Sequence, residues 1–135
     1  MVITDRIIKA IETSAHAHKD QKRTGTDIPY ISHPYSVALI CQTYSDDEDI
    51  FIAALLHDVI EDVSPDICSA DDIKNLFGER VLNLIQGVSE VKKENGVNRP
   101  WKDRKIDYIE HLKIVDIGVL SLFRLRTSYT TLEAR

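Results

Sequence analysis

The chain has 135 residues, and its 17 Lys and Arg stand against 22 Asp and Glu, which gives a formal charge of −5. This length fits one domain, a hydrophobic share of 43% is too high for a disordered chain, and no apolar run reaches the ~18–20 residues of a membrane span. The acidic balance argues against a partner that is a nucleic-acid polymer, because coating one requires a strongly basic face.

Apolar residues recur at a spacing of three to four along most of the chain, which predicts an all-α protein. The first predicted helix runs from Thr4 to Asp20, and a turn-rich loop follows it. Ser32 begins a second helix that continues to about Tyr44. Ser45 and Glu48 have the spacing of a capping box and start a third helix, which continues beyond Val59. The apolar face predicted for the first helix consists of Ile7, Ile8, Ile11 and Ala15.

The second half of the chain continues the helical pattern. Ser69 caps a short fourth helix that ends at Gly78, and a fifth helix spans Glu79 to Val88. A polar loop over residues 89–99 precedes Pro100, which opens a sixth helix. No segment alternates with period two, and no repeat or linker interrupts the pattern.

The third predicted helix ends in His57-Asp58-Val59-Ile60-Glu61-Asp62, which concentrates groups that bind metals and protons. On a helix, His57 and Glu61 share a face, and so do Asp58 and Glu61. An isolated His-Asp pair also fits a solvated helix end, where the helix dipole favours histidine. Here the preceding residues 53–56 are apolar, so the pair is directed into a core, where an ionised Asp is costly unless it is paired or binds a metal.

A second histidine stands upstream, in Pro29-Tyr30-Ile31-Ser32-His33-Pro34 at the start of the second helix. From a helix start its imidazole can reach across to His57. The alternative interpretation is a capping or core histidine, and the motif alone leaves both open.

Together these stretches carry a family resemblance. Gln21-Lys22-Arg23, residues 29–34 and residues 53–62 resemble the HD-superfamily hydrolases of the RelA/SpoT type, and the similarity covers roughly residues 5–116 in order. Those enzymes are guanosine-3′,5′-bis(diphosphate) 3′-pyrophosphohydrolases, and some are small single-domain forms. The resemblance implies an HD-domain helical bundle in residues 1–116.

The resemblance also implies a Mn²⁺ site whose ligands are His33, His57 and Asp58. Glu61 and Asp62 are then the acid pair that positions and activates the attacking water. The residue types suit this chemistry, because imidazole and carboxylate bind Mn²⁺ and a carboxylate next to the metal can accept a proton.

A substrate contact is implied for Arg23, which would stack on the guanine base of a small nucleotide, with Lys22 beside it. The alternative interpretation of these two residues is a solvated surface pair. The implied ligand is a guanine nucleotide alarmone rather than a nucleic-acid polymer or a membrane.

The sequence departs from the family after residue 116. Members complete their metal site with an Asp in the motif Ala-Asp-Lys-Leu-His-Asn, whereas residues 117–135 contain no Asp. Permitted codons for Leu125 to Glu133, read one base out of frame, spell Ala-Asp-Lys-Leu-His-Asn-Ala-Arg. We therefore expect residues 117–135 to be an atypical tail, produced by a one-base insertion or deletion near Leu120, which leaves the bundle incomplete. Sequencing the DNA again tests this hypothesis.

Two expectations follow from such a tail. Its apolar residues would either pack back on the first three helices or pair with a second subunit, and of the two we predict the homo-oligomer. Without the downstream Asp, the alternative function is a catalytically impaired nucleotide-binding or interaction protein with the same fold. With only Cys41 and Cys68 and no signal peptide, we expect a reduced, cytoplasmic protein.

Overall fold

The computed structural model describes residues 2–88 and the backbone of residues 93–94 and 97–98. Within this part the chain is helical, and the predicted all-α class is confirmed. A short antiparallel pair of strands aligns Lys93 with Asn98 and Glu94 with Val97. The elements in chain order are α1 (Asp5–Ala17), α2 (Ser32–Gln42), α3 (Glu48–Leu56), α4 (Val59–Asp62), α5 (Ala70–Phe77), α6 (Glu79–Val88), β1 (Lys93–Glu94) and β2 (Val97–Asn98).

Helix α3 is the centre of the described fold and packs against α1, α2 and α6. After the acidic first two residues, its residues are apolar on every side, and all seven from Ile50 to Leu56 are buried. A helix without a polar face must be covered all round, so the sequence of α3 requires this central position.

The apolar face predicted for α1 is confirmed at Ile7 and at Ile11, which packs partly buried against the core, and is wrong at Ile8 and Ala15. Ile7, Ala10 and Ser14 are buried, whereas Ile8 is 44% exposed and Ala15 is exposed. Adjacent residues on a helix point about 100° apart, so the turn of α1 that places Ile7 against α3 directs Ile8 to solvent.

The capping box predicted for the third helix is wrong. The carboxylate of Asp47 caps α3 and accepts a hydrogen bond from the Asp49 N–H at 3.0 Å, while the Ser45 hydroxyl accepts from the Asp47 N–H at 3.1 Å. Glu48 pairs instead with Arg6 of α1 at 2.7 Å. Glu48 therefore forms an ion pair between two helices instead of the predicted local cap.

The cap predicted for the fourth helix is confirmed. Ser69 accepts from the Asp72 N–H at 3.1 Å, and the Asp72 carboxylate accepts from the Ser69 N–H at 2.9 Å. Gly78 ends α5 with a positive φ of 100°, a backbone conformation that favours glycine.

The predicted sixth helix from Pro100 and the predicted tail, residues 117–135, lie outside the described residues. The division at residue 116 therefore stays a prediction, as does the oligomer. No helix in the described part of the chain is long and apolar enough to cross a membrane.

Candidate metal centre

Helix α3 stops at Leu56, and His57 and Asp58 form a turn before α4. The sequence predicted one continuous helix here, and that prediction is wrong. The last carbonyls of a helix lack intrahelical donors, and two of them accept from side chains. His57 Nδ1–H donates to the Ala54 carbonyl at 2.6 Å, and the Ser14 hydroxyl donates to the Leu55 carbonyl at 2.8 Å.

His33 reaches the same place from the start of α2. The preceding loop is held by main-chain hydrogen bonds from the Arg23 N–H to the Ile28 carbonyl at 2.9 Å and from the Tyr30 N–H to the Gln21 carbonyl at 2.8 Å. The His33 N–H then donates to the Tyr30 carbonyl at 2.9 Å. These bonds fix the loop to the first turn of α2, which carries His33.

The structure brings His33, His57 and Asp58 together. One ligand atom from each lies within 4.8 Å of the others. The Oδ2 atom of Asp58 is 3.3 Å from His33 Nε2 and 3.2 Å from His57 Nε2. All three residues are buried, with exposures of 7%, 1% and 3% for His33, His57 and Asp58.

This donor set fits a divalent metal ion. Because His57 Nδ1 donates its proton to a carbonyl, Nε2 can present its lone pair to the cluster, as it does in metal-binding histidines. His57 Nε2 is buried and has no hydrogen-bond partner among the described residues. A buried ring nitrogen without a hydrogen-bond partner is costly, and a cation coordinated by His57 Nε2 and by the negatively charged Asp58 carboxylate would satisfy it.

Glu61 and Asp62 lie on α4, directly after the cluster. Asp62 is exposed and Glu61 partly buried, and the Asp62 N–H donates to the Asp58 carbonyl at 2.9 Å. One helical turn thus separates the buried carboxylate from two more accessible ones.

Arg23 and Lys22 lie in the loop that ends at Tyr30. Lys22 is exposed and pairs through its main chain with Pro29, while Arg23 is partly buried. The loop that carries the predicted substrate contacts therefore leads directly into the first turn of α2.

Two residues next to the cluster escaped the sequence analysis, the buried His18 and the partly buried Tyr30. The Tyr30 hydroxyl donates to Asp58 Oδ2 at 2.7 Å, and the ring of His18 lies 4.9 Å from the ring of Tyr30. Tyr30 was visible only as part of a motif. His18 continues the buried stripe of Ile7, Ala10 and Ser14, which was the one signal that pointed to it.

The two cysteines are free and buried, and they take no part in the cluster. Burial raises the pKa of the Cys41 thiol to about 12. Burial, followed by the charge of Asp72, raises the pKa of Cys68. Neither thiol supplies a nucleophilic thiolate at neutral pH.

Residues 10–119 match the family described as HD domain, so this chain belongs to the HD-domain family. The resemblance in the sequence is confirmed. Over 89 residues, or 66% of this chain and 12% of the relative, it is 42% identical to the guanosine-3′,5′-bis(diphosphate) 3′-pyrophosphohydrolase of Aquifex aeolicus. Over 88 residues, or 65% of this chain and 12% of the relative, it is 40% identical to the bifunctional (p)ppGpp synthase/hydrolase SpoT of Escherichia coli.

Two solved structures are similar to this chain. One, described as a metazoan ortholog of SpoT that hydrolyzes ppGpp, matches with a TM-score of 0.78 and 26% identity over 93% of this chain and 68% of its own. The other, lmo0812 from Listeria monocytogenes, matches with a TM-score of 0.61 and 31% identity over 78% of this chain and 61% of its own. The chain spans only 12% of the length of the two curated relatives.

Proposed function

We propose that this chain is a metal-dependent hydrolase that removes the 3′-pyrophosphate of guanosine-3′,5′-bis(diphosphate) or a related nucleotide. The observation that carries the proposal is the buried His33, His57 and Asp58 cluster. The names of the relatives supply the substrate class, because two of them at 40% and 42% identity are named for this nucleotide.

His33 Nε2, His57 Nε2 and an oxygen of Asp58 would hold the ion, which we propose to be Mn²⁺. Mixed imidazole and carboxylate ligands suit this metal. When bound, the ion supplies positive charge that offsets the phosphate charge and acidifies water. The protein supplies buried surroundings in which that charge is weakly screened.

Glu61 and Asp62 provide the proton acceptors. As water attacks the phosphorus next to the ribose 3′-oxygen, a carboxylate oxygen takes the water proton, and the bond between phosphorus and the 3′-oxygen breaks. The proton returns to the leaving oxygen, so the products are pyrophosphate and the nucleoside 5′-diphosphate. Asp62 is exposed, in keeping with a group that must contact solvent and substrate.

Arg23 and Lys22 bind the nucleotide from the loop before α2. A planar guanidinium stacks on a base, whereas an ammonium binds phosphate as a compact charge. We therefore propose that Arg23 contacts the guanine and that Lys22 lies beside it.

The test is pyrophosphate release from ppGpp by the purified full chain with Mn²⁺, before and after chelation. We expect turnover that Asp62→Asn lowers by about 10²-fold or more, the usual contribution of general acid–base catalysis. The control is Asp66→Asn, which changes an exposed carboxylate four residues further along and should keep wild-type activity.

Absence of turnover with retained nucleotide binding would overturn the hydrolase proposal. It would favour an impaired nucleotide-binding protein, which is the interpretation that the missing downstream Asp supports. Turnover that survives complete removal of metal would overturn the proposed role of the cluster.

A further inference from the structure

Four rings lie in a continuous column that crosses from the end of α1 to the end of α3. The ring centroids are 4.9 Å apart for His18 and Tyr30, 5.6 Å for Tyr30 and His33, and 5.6 Å for His33 and His57. The last two rings belong to the proposed metal ligands. The first two have no role in the function proposed above.

Tyr30 contacts Asp58, which is the carboxylate among the three proposed metal ligands. Its hydroxyl donates to Asp58 Oδ2 at 2.7 Å, and the same oxygen faces His33 Nε2 and His57 Nε2 at 3.3 Å and 3.2 Å. The terminal torsion of an aspartate is broad, so a carboxylate without such a donor can rotate. The Tyr30 hydroxyl therefore fixes which oxygen of Asp58 points between the two imidazoles.

His18 fixes Tyr30 in turn. The His18 ring is 1% exposed and lies against the Tyr30 ring, and its Nδ1–H donates to the Gln21 side-chain oxygen at 2.8 Å. The Gln21 main-chain carbonyl accepts from the Tyr30 N–H at 2.8 Å. Gln21 thus ties the ring of His18 to the backbone of Tyr30, which leaves the tyrosine little room to move.

We propose that Tyr30 is a positioning residue for the metal centre, with His18 as its support. The Tyr30 hydroxyl holds the Asp58 carboxylate in the geometry that binds the metal. Metal binding therefore costs less conformational entropy in the Asp58 side chain. This inference rests on the metal site of the proposed function and adds two residues to it.

The experiment measures Mn²⁺ affinity by titrating the metal-free full chain. Tyr30→Phe removes only the hydroxyl and keeps the ring column. We expect it to weaken Mn²⁺ binding about 10-fold or more, the usual effect of losing a hydrogen bond to a metal ligand. Tyr35→Phe is the matched control, because Tyr35 is an exposed tyrosine on α2, and it should bind as the wild type does. Tyr30→Phe affinity within twofold of wild type would overturn the inference.

His57→Ala separates this inference from the proposed function. If His57→Ala binds Mn²⁺ as tightly as wild type, the proposed metal site itself is wrong. If His57→Ala abolishes binding and Tyr30→Phe leaves it unchanged, only the positioning role is wrong.

A second measurement distinguishes positioning from a general loss of structure. At saturating Mn²⁺ we expect Tyr30→Phe to regain most of its kcat, since the metal then imposes the geometry, whereas Asp62→Asn should not recover. His18→Ala should weaken Mn²⁺ binding several-fold, because it removes both the ring contact with Tyr30 and the hydrogen bond to Gln21. Wild-type Mn²⁺ affinity in His18→Ala would overturn the supporting role of His18.

Discussion

The hydroxyl of Ser14 caps the buried C-terminal end of the central helix, α3. Ser14 and Leu55 are both fully buried, and the Ser14 hydroxyl donates to the Leu55 carbonyl at 2.8 Å. Since α3 ends one residue later, at Leu56, that carbonyl belongs to the last turn, where intrahelical donors run out. The bond also joins α1 to α3 immediately before the His57 turn.

We therefore expect Ser14→Ala to lower the free energy of unfolding by about 1–3 kcal/mol, the cost of a buried acceptor without its donor. Thr13→Ala is the control, because the Thr13 hydroxyl bonds the Lys9 carbonyl at 2.7 Å on the outer side of the same helix. Both substitutions place an alanine in α1, so the stabilisation from its higher helix propensity is similar in the two variants. Urea denaturation of the two variants measures the difference, and equal stabilities would contradict this account of Ser14.

At the scale of single residues, residue types and motifs predicted part of the candidate metal centre. His33, His57 and Asp58 stand out by type and motif, and the structure brings them together. The hydrogen bond from Tyr30 to Asp58 joins residues 28 positions apart. No local pattern encodes that distance, because it depends on how the loop before α2 docks against the end of α3.

At the scale of elements, two arginines hold the acidic start of α3, and we call them the arginine clamp. Arg6 of α1 pairs with Glu48 at 2.7 Å and Asp49 at 2.9 Å. Arg80 of α6 pairs with Asp47 at 2.9 Å and Asp49 at 3.0 Å. The clamp connects helices from both ends of the described fold to the central helix.

The clamp makes part of the stability depend on pH. Hydrogen bonding from Arg80 lowers the pKa of Asp47 below its ordinary value of 3.8. A carboxyl with a depressed pKa stabilises the fold at pH values above the ordinary pKa, and that contribution is lost as the pH falls through the lowered pKa.

We expect Arg80→Gln to cost about 0.2–1 kcal/mol at pH 7, as exposed pairs do, because 46% of the Arg80 side chain is in solvent. The cost should shrink in molar salt, and also as the pH falls below 3.8 and through the lowered pKa of Asp47. Urea denaturation at pH 7 and at acid pH tests this, with Lys74→Gln as the control for loss of an exposed positive charge. A cost that is the same at both pH values would rule out the ionic mechanism.

The ends of helices were predicted accurately where neighbouring residues determine them, and inaccurately where contacts with other helices contribute. The start of α5 and the bounds of α6 were predicted well, because the Ser69 cap marks the start of α5 and Gly78 separates α5 from α6. The third helix was predicted to run on past His57, since its periodicity continues. It stops there because the side chains of His57 and Ser14 donate hydrogen bonds to the last carbonyls of the helix. The Ser14 bond comes from α1, so the local sequence does not reveal it.

At the scale of the whole molecule, the candidate centre joins parts of the chain that pack side by side. His33 belongs to α2, while His57 and Asp58 follow α3. The family was predictable because its motifs survive in order, and the match over residues 10–119 confirms it. The burial of the cluster was predictable only in outline, from the apolar residues before His57.

Because the ligands come from separate helices, an ion bound between them should stabilise the folded chain as a whole. A ligand that binds only the native state adds about 2.7 kcal/mol at a concentration 100 times its Kd. We expect excess Mn²⁺ to raise the Tm of the wild type, and chelation to reverse the shift. His57→Ala should lose the shift, whereas His16→Ala, which changes an exposed histidine on α1, should keep it. Calorimetry of each variant with and without Mn²⁺ measures this, and an equal shift in both would show that the ion binds elsewhere.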